Sequence, residues 1–150
     1  MKIKKAKPPN YDEILLYLPV NDRSVFCYGD TIYNPSGKDL LEDLIVHEEV
    51  HSRQQGEYPD VWWYRYLTEP QFRLEQEIEA YGEQYAFAKR HIEKAAREVP
   101  PGHELAAGKT KLLKFALENM SEALSGPEYG SLITQAEAVS KIRAHAKQVL

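Results

Sequence analysis

Residues 38–56 read KDLLEDLIVHEEVHSRQQG, and the period of this stretch decides what the chain builds. Pro35-Ser36-Gly37 punctuates the chain before it and Gly56 stands at its end, so the spacing predicts a helix over about 38–55. A helix turns about 100° per residue, which sets His47 and His51 one above the other within about 40° of arc. Leu40 and Leu44 fall between them, so the pair lies on an apolar stripe. Glu48 sits about 80° from the midpoint of the two imidazoles. Glu49 sits about 180° away, with Glu42 and Arg53, and is expected to face out and pair with Arg53.

The pattern HEEVH fits the H-E-x-x-H template, in which two imidazoles bind zinc and the glutamate handles the protons of a bound water. The template is short. With five histidines in the chain, a shuffled sequence would contain it in roughly 2% of cases, so its context has to decide. A catalytic zinc takes three protein ligands and a water, and the third ligand must come from another segment.

A second helix is expected from Thr68, whose spacing to Gln71 fits a capping box, with Pro70 in its first turn and Pro100-Pro101 at its end. Leu74, Ile78, Tyr81, Tyr85, Ala88, Ile92, Ala96 and Val99 share one face and define the core side. Glu77 borders that face, about 50° from its centre, while Glu75, Glu79 and Glu83 point away. Glu77 is the expected third ligand. Glu75 or Glu79 takes its place if the helix is rotated or kinked, and the plain alternative for Glu77 is a surface ion pair with Arg73.

The rest of the chain frames these two helices. MKIKKAKPPN is a basic arm over residues 1–10, and YDEILLYLP is one or two helical turns closed by Pro19. SVFCYGDTIYNPSG reads as two short strands joined at Gly29-Asp30. VWWYRYL is expected in the connection between the main helices, as core or as a lid. Gln54 and Gln55 read as polar residues at a helix end. A third helix spans about 104–124, with the apolar face LLKFALENMSEAL, and a fourth begins near Thr134, which is spaced for a capping box with Glu137. The expected fold is α+β, a mostly helical single domain over 1–150 with a small hairpin or sheet beside the motif helix. Its core covers about 11–126, and a C-terminal helix follows over about 134–150.

Composition narrows the function. A net charge of -4 and a pI near 5.8 argue against nucleic acid, which calls for a basic surface. No stretch approaches the ~20 apolar residues of a membrane span, and the N-terminus lacks an apolar signal segment, so the chain is expected to be cytoplasmic and to start where the sequence does. The single cysteine, Cys27, forms no internal disulfide and reads as a small buried hydrophobe. AAGKTK resembles the end of a phosphate loop, but Gly102 and Gly108 are separated by five residues where the template has four.

HEEVH followed by EIEAY at 77–81 resembles the gluzincin class of zinc metallopeptidases, over roughly residues 24–90. The resemblance implies a zincin-like fold and a zinc ion on His47, His51 and Glu77. It further implies Glu48 as the catalytic base and a peptide or protein substrate. The small members of the class show a Glu-x-x-Ala-Asp form, which Glu77 and Ala80 match, whereas Tyr81 stands where the aspartate would be. A tyrosine hydroxyl can hydrogen-bond a ligand but supplies no carboxylate to orient an imidazole. Tyr129 and His103 are candidate donors to the oxyanion, and the strand before the motif helix is a candidate edge for an extended peptide. HEEVHSRQQG, the tryptophan pair, FRLEQEIEAY and LSGPEYG are also similar to small uncharacterised proteins of tailed bacteriophages and prophages, which would place the chain in a bacterial host. The alternative is a non-catalytic helical interaction protein of phage origin, with a vestigial or structural metal site.

Overall fold

The computed structural model describes residues 1–150. In chain order the elements are strand β1 (Lys2–Lys4), helix α1 (Tyr11–Tyr17), strands β2 (Phe26–Tyr28) and β3 (Thr31–Tyr33), then helices α2 (Glu42–Gln55), α3 (Pro59–Thr68), α4 (Pro70–Glu98), α5 (Glu104–Leu124) and α6 (Gln135–Val149). A single 3₁₀ turn, Pro127–Tyr129, links the last two helices. Helices hold 66% of the chain and the only sheet has three short strands, which is the mostly helical α+β class the sequence predicts.

The hairpin forms as read, with Gly29 at φ 60° in its turn, where a left-handed backbone favours glycine. β2 pairs antiparallel with β3 in the register Cys27 to Ile32. The basic arm supplies the third strand: β1 runs parallel to β3 with Ile3 opposite Ile32, giving the order β1-β3-β2. β3 is therefore the central strand. The edge expected on the strand before the motif helix belongs instead to β2.

α2 starts at Glu42 rather than near residue 38, because residues 34–38 are tied into a local turn. There Asn34 Nδ2 donates to the Lys38 carbonyl and the Lys38 amide donates to Ser36 Oγ. Leu40 consequently precedes the helix. VWWYRYL is not a connection but the body of α3, begun by Pro59 in its first turn and burying Trp62, Trp63, Tyr66 and Leu67 on one face. The expected Thr68–Gln71 box does not form: Thr68 ends α3 with its hydroxyl on the Tyr64 carbonyl, and Glu69 precedes α4. At α6 the box is complete, with Thr134 Oγ1 accepting from the Glu137 amide and Glu137 Oε2 accepting from the Thr134 amide. The segment AAGKTK lies inside α5 and makes no phosphate loop.

Two hydrophobic clusters divide the interior. One joins α4, α5 and α6 through Leu74, Tyr85, Leu117, Met120, Leu124, Ile142 and Tyr129. The other joins α1, β2 and α3 through Ile14, Phe26, Trp62, Trp63, Tyr66 and Leu67. α6 enters the first cluster through Ala138, Ile142 and Ala146, and β1 joins the sheet. α2 packs on α4 and against β2 and α3, so its buried residues, His47, Glu48, Val50 and His51, face the space where the two clusters approach. No helix is long and apolar enough to cross a membrane.

Candidate metal centre

One turn of α2 and one residue of α4 make the centre. His47 and His51 project from the same face of α2, as their spacing requires, and Glu77 comes up from α4 with 1% of its side chain exposed. His51 Nε2 is 3.1 Å from Glu77 Oε1, His47 Nε2 is 3.3 Å from Glu77 Oε2, and the two Nε2 atoms are 3.1 Å apart. All three ligand-type atoms lie within 4.8 Å of one another. Glu77 Oε2 is buried with no hydrogen-bond donor assigned to it.

Three atoms that each carry a lone pair repel unless a proton or a cation lies among them. The buried charges answer accordingly. Burial drives the Glu77 carboxyl up, but the His51 and His47 imidazoles outweigh it and hold the group below the usual carboxylate range. For His51 burial pulls the imidazolium down, yet the charge and hydrogen bond of Glu77 lift it from 6.5 to about 9. The metal-free triad therefore keeps a proton at neutral pH, and a divalent cation can take that proton's place. The donor set, two imidazoles and one carboxylate, suits zinc.

The far nitrogens of both imidazoles are engaged. His47 Nδ1 meets Gln84 Oε1 at 3.0 Å, and Gln84 Nε2 donates to Asp43 Oδ2 at 2.9 Å. His51 Nδ1 meets Gln54 Oε1 at 2.9 Å, and Gln54 Nε2 donates to Glu79 Oε2 and to the Gln76 carbonyl, each at 3.0 Å. Glu77 Oε1 accepts from Tyr66 at 2.5 Å. Burial and the Glu77 charge together raise the Tyr66 pKa far above its ordinary value, so its hydroxyl remains a donor.

A cavity of about 570 Å³ opens over this cluster, lined by His47, Glu48, His51, Glu77, Tyr81 and Tyr129 among others. Leu44, Leu41, Phe115 and Met120 give it apolar walls. Glu48 is buried beside the triad, and its carboxyl is raised mainly by burial, against the pull of His51 and His47. β2 runs along the cavity with Phe26 and Cys27 in the lining. Burial, with the Glu48 charge, pushes the Cys27 thiol up to about 12, which leaves it an inert core residue.

Several expected roles change. His103 is exposed, caps the N-terminus of α5 by accepting from the Leu105 amide at 3.1 Å, and does not line the cavity. Tyr81 packs edge-on against the His47 ring at 4.6 Å and its hydroxyl meets that of Tyr129 at 3.2 Å, so it does not bond a ligand atom. Arg53 pairs with Glu83 of α4, not with Glu49. Arg73 makes no surface pair with Glu77: it is buried and donates to the Tyr66 carbonyl at 2.7 Å. Glu75 is exposed on α4 and bonded to Gln71. Gln55 is buried, with Nε2 on the Cys27 carbonyl and Oε1 on the Gly29 amide, and so fastens α2 to the hairpin. Asp43, Gln54, Tyr66 and Gln84 escape a reading by motif; only the helical spacing of Gln84, seven residues after Glu77, hints that it shares that face.

No protein-family model, curated protein or solved structure matches the chain.

Proposed function

We propose that the chain is a zinc-dependent metallopeptidase-like hydrolase of the gluzincin kind, acting on a peptide amide. The observation that carries the reading is the buried convergence of His47, His51 and Glu77 beneath a cavity that also receives Glu48. Generic buried polar clusters are satisfied by their own hydrogen bonds. This one turns both Nε2 atoms to the same point and leaves Glu77 Oε2 facing only His47 Nε2, at 3.3 Å.

His47, His51 and Glu77 would hold the metal, and zinc so held supplies Lewis acidity and a water of pKa near ~7. Glu48 takes the proton of the attacking water and returns it to the leaving amine, a role that its raised pKa suits. The Tyr129 hydroxyl, on the cavity wall and paired with Tyr81, is the available donor to the developing oxyanion. The outward carbonyl of β2, at Cys27, already accepts from Gln55 Nε2 and Trp63 Nε1, so β2 offers no open edge for a substrate strand.

Turnover of a fluorogenic peptide library by zinc-loaded protein, beside Glu48→Gln, tests the reading. The variant is expected to keep its zinc and lose at least a hundredfold in rate. Equal turnover in both would remove Glu48 from the chemistry. No turnover in either, with zinc bound, would favour an interaction protein with a structural metal.

A further inference from the structure

Each histidine of the triad is backed by the same three-part device. Behind His47 stand Gln84 and then Asp43; behind His51 stand Gln54 and then Glu79. The order of groups decides the chemistry. An ionised carboxylate only accepts, so the glutamine must turn its NH₂ toward it. That leaves the amide oxygen facing the imidazole, and an oxygen without a proton requires Nδ1 to carry one. With Nδ1 protonated, the lone pair of a neutral imidazole is on Nε2, which in both residues points at Glu77.

We propose that Asp43–Gln84 and Glu79–Gln54 are paired carboxylate–amide relays that lock both histidines in the Nδ1–H form and so set the affinity of the triad for its metal. The direct carboxylate that position 81 does not provide is replaced, on each imidazole, by a carboxylate acting through a neutral amide. Asp43 lies one turn before His47 on α2, and Gln84 lies seven residues beyond Glu77 on α4. The His47 relay therefore also fixes α2 against α4. The His51 relay does the same in mirror order, since Gln54 belongs to α2 and Glu79 to α4. Gln84 and Gln54 are positioning residues: neither touches the metal point.

The affinity half of the inference rests on the proposed metal site, while the tautomer half does not, and one experiment separates them. Side-chain ¹⁵N–¹H correlation spectra of the metal-free protein, recorded above pH 9 where the proton that His51 shares with Glu77 has left, report which ring nitrogen is protonated. Slowly exchanging Nδ1–H signals are expected for both His47 and His51, with the His47 signal lost in Gln84→Leu and the His51 signal lost in Gln54→Leu. Zinc affinity, measured against a chromogenic chelator, should fall about 10- to 100-fold in each variant. The double variant Asp43→Asn/Gln84→Glu exchanges amide and carboxylate but keeps an acceptor on His47 Nδ1. It is expected to regain both the signal and most of the affinity, which a merely damaged fold would not do. Unprotonated Nδ1 on either histidine of the wild type would overturn the relays whether or not zinc binds. Unchanged zinc affinity in both leucine variants would overturn their role in binding while leaving the metal site standing.

Discussion

The proton held by the triad governs how tightly a metal can bind, and pH is the perturbation that exposes it. In the metal-free protein His51 keeps its proton to about pH 9, because Glu77 lies 3.1 Å from its Nε2 and outweighs the cost of burial. A metal must displace that proton. Removing it at pH 7 costs about 3 kcal/mol, so the apparent affinity should rise at least tenfold per pH unit from neutrality, with the slope falling by one near pH 9. For an ordinary imidazole that fall would come near ~6.5. Competition with a chelator of known proton affinity, from pH 6.5 to 9, gives the slope. Calorimetry in two buffers of different protonation enthalpy should show more than one proton released per zinc at pH 7.5, the His51 proton together with most of one from a bound water of pKa near ~7. Stability of the metal-free fold runs the other way. His51 is raised above its ordinary 6.5, so its contribution is complete below about pH 6.5 and is lost as pH rises through about 9. Glu77 is depressed below its ordinary 4.5, so its contribution is complete above that value and is lost as pH falls through its folded pKa. Zinc affinity that is flat between pH 7 and 8.5, with no proton released, would refute the shared proton.

Gly82 of α4 lies under His145, and a Cβ there would come within 2.6 Å of its Cδ2 and 2.7 Å of its Cβ. Gly82→Ala should therefore lose about 1–2 kcal/mol despite the better helix propensity of alanine, and Gly82→Ala/His145→Ala should be the more stable of the two in urea. A rise in stability for the single variant would contradict the packing. Thr134→Ala removes the side-chain half of the α6 capping box and leaves the Thr134 amide on Glu137, and should cost about 1 kcal/mol. Because α6 brings Ala138, Ile142 and Ala146 to the core, that loss should appear in global unfolding rather than as local fraying.

The two helices that build the centre were legible because their signals are local. Four-residue spacing puts His47 and His51 on one face whatever surrounds them, and the apolar period of α4 is long enough to single out Glu77 from its acidic neighbours. The box at Thr134 and the turn at Gly29-Asp30 depend on residues three apart or fewer. What escaped the sequence depends on partners far along the chain. β1 is a three-residue strand of Lys, Ile and Lys, and only its pairing with β3 makes it one. α3 hid behind its aromatic content, which favours strands in isolation, although Trp62, Trp63, Tyr66 and Leu67 keep a helical period once that is sought. Gln54 looked like a helix-end residue because its meaning comes from Glu79, on another helix. His103 was open to a role at the oxyanion because the acceptor role it fills at Leu105 leaves no mark beyond a helix start.

The metal content of the purified protein tests the central claim most directly. Elemental mass spectrometry of the wild type should find close to one zinc per chain. His47→Ala and Glu77→Ala should lose it, and Glu75→Gln, exposed on the far side of α4, should keep it. A wild type that stays metal-free after zinc is offered, or a Glu77→Ala protein that holds zinc as well as the wild type, would contradict the account.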